Sequence, residues 1–194
     1  AWWTATSLTA TADFNNDGRA DLLLSTSAGI RILLGQTDAT FTSAGSLLLP
    51  ITATYAASAD FNRDGRLDVV VAGTGGFAVA LGVGNGTFQN GTLHAQATAG
   101  TYVMTADFNN DGFMDFVGST PTSGYTYLGN GAGGFGLPVS TMIIPYGAVT
   151  ARFNSDAFPD IAMMTVQPRQ DGSNHAISIW LGLGNGRFHG YSNY

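Results

Sequence analysis

The chain has 194 residues, of which 44% are hydrophobic and 10% charged, with a formal net charge of −6 and no cysteine. This length and hydrophobic content predict a single folded domain, 1–194, and the lack of cysteine excludes a disulfide framework. No basic patch is present, so nucleic-acid binding is not expected, and no apolar run is long enough to span a membrane.

The charged residues are unusual in type and in position. All seven basic residues are Arg and all thirteen acidic residues are Asp, without any Lys or Glu. Eleven of the Asp residues lie in four short loops, and only Asp38 and Asp171 lie outside them. Because three bound divalent cations would bring the total charge close to zero, the acidity indicates metal sites rather than a charged surface that attracts basic partners.

The first predicted elements are a strand of small residues at 8–12 and the nine-residue loop DFNNDGRAD at 13–21. Oxygen-bearing side chains stand at loop positions 1, 3, 5 and 9, and a glycine stands at position 6. A hard cation such as calcium takes six to eight oxygen ligands, and a short loop of this pattern can wrap around it. Glycine permits the tight turn because it enters positive φ at no steric cost.

This unit then recurs along the chain. The loops DFNRDGRLD at 60–68 and DFNNDGFMD at 107–115 follow at intervals of 47 residues. Each is followed by an apolar strand and by a strand that ends at a Leu-Gly pair, such as Leu81-Gly82. A glycine-rich turn with a Phe comes next in the second and third units, and Asn-Gly turns between apolar runs favour hairpins.

The fourth loop, RFNSDAFPD at 152–160, is a degenerate copy. Arg152 replaces the first Asp and Ala157 replaces the glycine, so we expect this loop to be metal-free. Our hypothesis is that the Arg152 guanidinium occupies the vacated site and pairs with Asp156 and Asp160; Asn154 keeps the amide at loop position 3. Strands are predicted at 161–163 and 177–181.

An insertion of eight residues lies between these two strands, around 167–175. It is interpreted as an extended, exposed hairpin. The alternative is a ligand-binding loop, because loops commonly carry function. Its polar residues are therefore candidate partner contacts: Arg169, Asp171 and His175.

Four short strands in each unit of 40 to 50 residues, repeated four times, predict an all-β fold, a β-propeller of four blades centred on loops 13–21, 60–68, 107–115 and 152–160. The strand before each loop would be innermost, and the loop Phe residues would pack between blades. The chain has 12 residues before Asp13 and 13 after Leu181, matching the 25 that separate Leu34 from Asp60. Terminal segments 1–12 and 183–194 are therefore expected to share a blade or a contact, although a ring completed by another chain, a filament or a longer array would give the same sum.

The stretch ADFNRDGRLDVVV at 59–71, followed by Leu81-Gly82-x-Gly84-x-Gly86-x-Phe88, resembles the FG-GAP repeat, also called the VCBS repeat. That family includes the propeller of integrin α subunits, bacterial surface and secreted proteins, and some fungal lectins. The resemblance covers nearly the whole chain. It implies about three calcium ions, one in each intact loop. The implied ligands are Asp13, Asn15, Asp17, the Arg19 carbonyl and Asp21; Asp60, Asn62, Asp64, the Arg66 carbonyl and Asp68; and Asp107, Asn109, Asp111, the Phe113 carbonyl and Asp115.

Other features have both a structural and a functional interpretation. The terminal aromatic residues either pack together where the chain ends meet or form a subunit contact: Trp2, Trp3, Tyr191 and Tyr194. Asn85 and Asn90 begin glycosylation sequons, although Asn85 is equally well explained by its Asn-Gly turn. The three His residues do not share metal-ligand spacing.

These features predict a non-catalytic, calcium-stabilised extracellular module for adhesion or protein assembly, including self-association. Extracellular calcium is plentiful enough for loops of moderate affinity. The alternatives are a glycan-binding lectin that uses clefts between blades, and an accessory domain of a larger secreted enzyme. No nucleophile elbow, phosphate-binding loop or HExxH motif occurs, so we expect no enzymatic activity.

Overall fold

The computed structural model of the chain describes residues 5–26, 29–47, 49, 51–96, 98–141, 147–166 and 175–193. Within these ranges only the backbone is described for 5–9, 165–166, 175 and 191–193. All regular structure in the described part is β-strand, arranged as four sheets of four strands. The predicted all-β class and the four four-stranded blades are therefore confirmed.

The blades are numbered in chain order, and each contains four consecutive strands. Blade 1 contains β1 (Ala5–Ala12), β2 (Asp21–Thr26), β3 (Gly29–Gly35) and β4 (Phe41–Leu47). Blade 2 contains β5 (Ala53–Ala59), β6 (Asp68–Gly73), β7 (Gly76–Ala80) and β8 (Thr92–Ala95). Blade 3 contains β9 (Tyr102–Ala106), β10 (Asp115–Ser119), β11 (Gly124–Tyr127) and β12 (Val139–Thr141). Blade 4 contains β13 (Ala148–Ala151), β14 (Asp160–Val166), β15 (His175–Gly182) and β16 (Phe188–Asn193).

Every blade is an antiparallel meander in which each strand pairs with the next. The acidic loop joins the first strand to the second. Its last Asp begins the second strand and pairs with the Ala before the loop, as Asp68 pairs with Ala59. The same register occurs in the other three blades. All four loops therefore occupy the same corner of their blades.

The two chain ends require a correction. In the described residues, β1 pairs with β2 in blade 1, and β16 pairs with β15 in blade 4. Residues 5–12 and 188–193 therefore do not share a blade, because each quarter of the chain supplies all four strands of its own sheet. Whether the ends touch stays a prediction, since residues 1–4 and 194 lie outside the described residues.

The core lies between blades. The first strands of successive blades are in contact, β1 with β5, β5 with β9 and β9 with β13. No contact of comparable extent joins β13 to β1 in the described part. Three apolar clusters fill the interfaces between blades 1 and 2, 2 and 3, and 3 and 4.

Blade 2 shows why its strands are apolar on both faces. All six residues of β6 and all five of β7 are buried. Val69 and Val71 pack towards blade 1, whereas Val70 packs towards blade 3. A strand that is covered on both faces reads as a continuous apolar run rather than an alternating pattern.

Candidate metal centre

The first half of each intact loop is a turn that closes around its first Asp. In the second loop, Asp60 Oδ1 accepts a hydrogen bond from the backbone N–H of Asp64 (3.2 Å), and Oδ2 accepts one from Gly65 (2.9 Å). Asn62 Oδ1 also accepts a bond from Asp64 N–H (3.2 Å). The first and third loops repeat these bonds. The turn holds the side chains at positions 1, 3 and 5 on one short segment.

Backbone conformation explains the glycine at position 6. Gly18, Gly65 and Gly112 have φ of +82°, +79° and +86°, values that L side chains rarely adopt. In the fourth loop Ala157 is not among the positive-φ residues of the described chain. The fourth loop, in which alanine replaces this glycine, therefore lacks the positive-φ conformation at position 6 and turns differently.

The last Asp of each loop ties the loop to two other parts of its blade. Asp68 is fully buried, and its Oδ2 accepts a bond from Phe61 N–H (2.8 Å) while its Oδ1 accepts one from Gly82 N–H (2.7 Å). We call this arrangement the clasp: the buried last Asp and the two backbone N–H groups that donate to it. All four repeats form it, with Asp21, Asp115 and Asp160 at the equivalent positions.

The clasp gives a physical reason for the Leu-Gly pair. A Cβ on Gly82 would lie 2.1 Å from the carbonyl oxygen of Leu67, closer than any real contact allows. The equivalent glycines of the other repeats meet the same obstruction at 2.2 to 2.4 Å. The sequence shows the pair as a periodic landmark, but it does not show that its glycine donates to the last Asp.

The last Asp of the second loop and that of the third loop have raised pKa values, mainly because they are buried. The pKa of Asp115 is raised to about 6, mainly by burial and also by the negative charges of Asp111 and Asp107, against hydrogen bonds from Gly129 and Phe108 that lower it. Burial also raises the pKa of Asp68, and the charges of Asp64 and Asp60 act in the same direction. A cation bound among these carboxylates would relieve both costs.

Arg side chains at loop position 7 act in a way that the sequence did not predict. Arg19 pairs with Asp17, and Arg66 pairs with Asp64. The Nε of each Arg also donates to the carbonyl of the Leu-Gly glycine, Gly35 at 2.9 Å and Gly82 at 3.4 Å. These side chains thus link position 5 of the loop to the end of the third strand.

The third loop has Phe113 at position 7, and here the cation comes from the neighbouring blade. The Arg63 guanidinium carbon lies 5.5 Å from the centroid of the Phe113 ring, within the range of a cation–π contact. The first and second loops are also joined, because Asn16 Nδ2 donates to the Gly65 carbonyl (3.4 Å). Position 4 of one loop therefore contacts the next loop in both cases.

The predicted pairing of the Arg152 guanidinium with Asp156 and Asp160 is wrong, whereas the expectation that this loop is metal-free stays a prediction. Asp160 is fully buried, and its two oxygens accept bonds from Phe153 N–H (2.7 Å) and Gly182 N–H (2.9 Å). Arg152 is exposed and forms no ion pair with Asp156 or Asp160 within the described part of the chain. The clasp already satisfies the carboxylate that the guanidinium was expected to reach.

The side chains of the three intact loops fit a hard cation by their chemistry. Each loop offers three carboxylates and one amide oxygen, and calcium prefers such ligands. Among the described residues, no group of three or more acidic or histidine side chains is arranged so that it could hold a metal ion in this conformation. The predicted carbonyl ligands of Arg19, Arg66 and Phe113 stay predictions.

A model of the FG-GAP-like repeat matches residues 13–71 and again 60–118, which together make up more than half of the chain. The chain belongs to the FG-GAP-like repeat family. The two matches share the second loop, so they span the three intact loops. Curated protein sequences contain no match.

Solved structures with a similar fold include three proteins whose chains are longer than this one. An Agrocybe aegerita lectin, described for its specific recognition of non-reducing terminal N-acetylglucosamine, has a TM-score of 0.64 at 20% identity and aligns over 94% of this chain and 50% of its own. The Vibrio cholerae biofilm matrix protein Bap1 has a TM-score of 0.55 at 16% identity, over 93% and 27%. The Photorhabdus luminescens Tc holotoxin pore has a TM-score of 0.51 at 17% identity, over 100% and 10%. This chain therefore spans half or less of each structure, and the likeness establishes the β-propeller-like fold.

The other predicted contact residues of this FG-GAP-like chain fall mostly outside the described residues. The backbones of His175 and Tyr191 lie in β15 and β16, but their side chains are outside the described set, as are Trp2, Trp3, Arg169, Asp171 and Tyr194. Val166 pairs with His175, so residues 167–174 connect two paired strands. The role of these residues in partner contact stays a prediction.

Asn85 Oδ1 accepts bonds from Thr87 N–H (3.0 Å) and Oγ1 (2.6 Å), which supports the turn interpretation of that sequon.

A second candidate site lies between the outer parts of blades 2 and 3. A cleft of about 390 Å³ has aromatic walls formed by His94, Tyr127 and Phe135. Gln96 Nε2 donates to the Tyr127 hydroxyl at its edge. Leu137, at the same cleft, is 91% exposed. The cleft thus combines ring faces with an amide and a hydroxyl.

Proposed function

We propose that this chain is a non-catalytic, calcium-stabilised extracellular module for adhesion or protein assembly. The repeated loops, the FG-GAP-like family and the similarity in fold to a biofilm matrix protein support an extracellular role. The described residues contain no helix that is long and apolar enough to cross a membrane. Activity of this chain as an accessory domain of a larger enzyme is a weaker alternative.

Calcium would be held by the side-chain oxygens of the three intact loops. It would supply positive charge next to Asp21, Asp68 and Asp115, whose carboxylates lie at 0% exposure. A ligand that binds only the folded chain stabilises it by RT ln(1 + [L]/Kd). The ion would therefore reinforce loops whose position the clasp already sets.

The observation that carries the assembly role is an apolar strip on blade 4. Val149, Met164 and Ile177 are 63%, 57% and 52% exposed, and the register of the strands places them on one face of the sheet. The opposite face of this blade packs on blade 3 through Ile161 and Met163. Contiguous exposed apolar surface of this kind marks an interaction site.

Adhesion assays with chain-coated beads test this function. Beads would be applied to surfaces coated with the same chain, with N-acetylglucosamine-bearing glycans or with serum albumin as a blank. The proposal predicts retention on the chain-coated surface in calcium buffer and release by a chelator. Retention equal to the albumin blank on every surface would contradict it.

Glycan binding is a second candidate, favoured by the cleft between blades 2 and 3. The His94 and Phe135 rings could pack against a sugar, and the Gln96 amide could hydrogen-bond to sugar hydroxyls. The solved lectin of similar fold is described as recognising N-acetylglucosamine. In the bead assay, retention on the glycan surface that free sugar competes away would favour this candidate.

A further inference from the structure

The interface between successive blades repeats one contact. The Phe at loop position 2 of one blade meets, ring edge to ring face, the Phe after the turn of the next blade. The ring centroids are 5.8 Å apart for Phe14 and Phe88, 5.2 Å for Phe61 and Phe135, and 5.5 Å for Phe108 and Phe188. Two backbone bonds accompany it, from Gly86 N–H to the Phe14 carbonyl and from Gly133 N–H to the Phe61 carbonyl, both 3.1 Å.

Each end of the blade series leaves one half of this contact exposed. Phe153 occupies loop position 2 in blade 4 and is 44% exposed, whereas Phe14, Phe61 and Phe108 are at most 2% exposed. Phe41 follows the turn of blade 1 and is 43% exposed. Among the described blades, none packs on the outward face of blade 4 or of blade 1, so these two Phe residues are complementary halves of the same contact.

The face of blade 4 around Phe153 has the position and character of an interface between blades. Met164 pairs with Ile177 across β14 and β15. The equivalent pair in blade 2 is Ala72 and Phe77, which are 0% exposed because blade 3 covers them. Blade 4 is thus apolar at positions that the fold buries wherever another blade follows.

Blade 1 offers the exposed Phe41 for such an interface, beside apolar residues of which two are already buried within this chain. Leu22, Leu24 and Leu33 stand where blade 2 has Val69, Val71 and Ala80, the residues with which blade 2 packs on blade 1. Leu24 and Leu33 are buried at 8% and 5%, so Phe41 is the most exposed apolar group at this end. Arg31 is on the same face, with a guanidinium nitrogen 3.5 Å from Ser43 Oγ of the outer strand.

We propose that blade 1 of a second copy of this chain docks on blade 4, so that Phe41 of one copy meets Phe153 of the other as Phe88 meets Phe14. This inference rests on the proposed role in assembly and specifies its partner. A second copy is the occupant because this chain carries both halves of the contact. The contact is head-to-tail, so it closes into a ring when two copies engage both of their faces, and otherwise extends.

The test uses the chain in calcium buffer, with mass measured by analytical ultracentrifugation from low to high micromolar concentration. We expect the wild type to form species of two or more chains. Phe41→Asp and Phe153→Asp should each be monomeric alone. Mixed in equal amounts they should form a dimer that does not grow, because each variant keeps one intact face. Val83→Asp, at an exposed apolar residue of blade 2 (46%), is the matched control and should assemble as the wild type does.

Two results would overturn the inference. One is a wild type that is monomeric at every concentration, which would leave the blade 4 face to another partner. The other is a Phe41→Asp variant that assembles as the wild type does, which would indicate contact between two blade 4 faces. Circular dichroism of each variant verifies that it is folded. If beads still adhere when either result is found, the adhesion role survives and only the head-to-tail contact fails.

Discussion

Gly82 donates its backbone N–H to Asp68 Oδ1 at 2.7 Å, and this bond joins the segment just after the third strand of blade 2 to the end of its acidic loop. The Gly82 Cα lies so close to the Leu67 carbonyl that a Cβ would approach the oxygen to 2.1 Å. The position thus requires glycine for space, whereas the amide that it donates is one that any residue except proline carries. The first three predictions concern the glycine of the clasp, the last Asp of the loop, and the loop Phe that packs on the next blade.

Gly82→Ala should lower the free energy of unfolding by about 1–3 kcal/mol, as expected for overpacking a tightly packed site. The backbone carbonyl that obstructs the new methyl group cannot rotate away as a side chain would. Chemical denaturation measures the effect. Gly136→Ala is the control, because the nearest atom to its Cβ would be 3.8 Å away; an equal loss in both variants would contradict the explanation.

Asp68→Asn and Asp160→Asn should both destabilise the chain, by about 1.5–3 kcal/mol each, because an amide places an NH₂ group opposite one of the two backbone donors. Only Asp68 lies in an intact loop. Its variant should also bind one calcium ion fewer, whereas the Asp160 variant should keep the wild-type number. Denaturation with and without calcium separates the two effects, and an equal change in metal stoichiometry would argue against the distinction between the loops.

Phe61 and Phe153 occupy the same loop position but differ in burial, 1% against 44% exposed. Phe61→Ala should cost about 3–5 kcal/mol, the usual range for removing a buried aromatic side chain. Phe153→Ala should change the stability of the monomer by less than about 0.5 kcal/mol. Thermal and chemical denaturation at low concentration compare them, and similar losses would mean that blade 4 is covered within one chain.

The sequence predicted the parts of this structure that depend on local pattern. The strands before and after each loop, the positive φ of Gly65 and the burial of Phe61 all follow from the repeat. The pairing of Arg152 failed because the partner of Asp160 is Gly182, 22 residues further along the chain. A backbone N–H donor cannot be recognised from the residue type, because every residue except proline carries one. The shared blade expected for the chain ends is not found, because residue counts do not show which blade takes a terminal strand; a contact between the ends stays a prediction.

Stability should depend on pH through His94. Burial lowers the pKa of His94 below its ordinary value of 6.5, so the unfolded chain binds a proton at a higher pH than the folded chain does. The stability due to neutral His94 is therefore present above about pH 6.5 and is lost as the pH falls through the lower folded pKa. Its neighbour Tyr127 stays neutral in this range, because burial raises its pKa to about 12.

His94→Phe should remove this contribution while keeping a ring against Phe116 and Phe135. The effect is read as the difference between wild type and variant over pH 5 to 7.5, because Asp115 also titrates near pH 6. His189→Phe, at an exposed histidine, is the control. A difference between wild type and His94→Phe that does not change with pH would contradict the burial argument.

Native mass spectrometry in calcium tests most directly whether the three intact loops are metal sites. With three intact loops, we expect three calcium ions per wild-type chain and a lower Tm after chelation. Arg152→Asp combined with Ala157→Gly restores the loop pattern and should raise the number to four. A chain that binds no calcium, with a Tm unchanged by the chelator, would contradict the account.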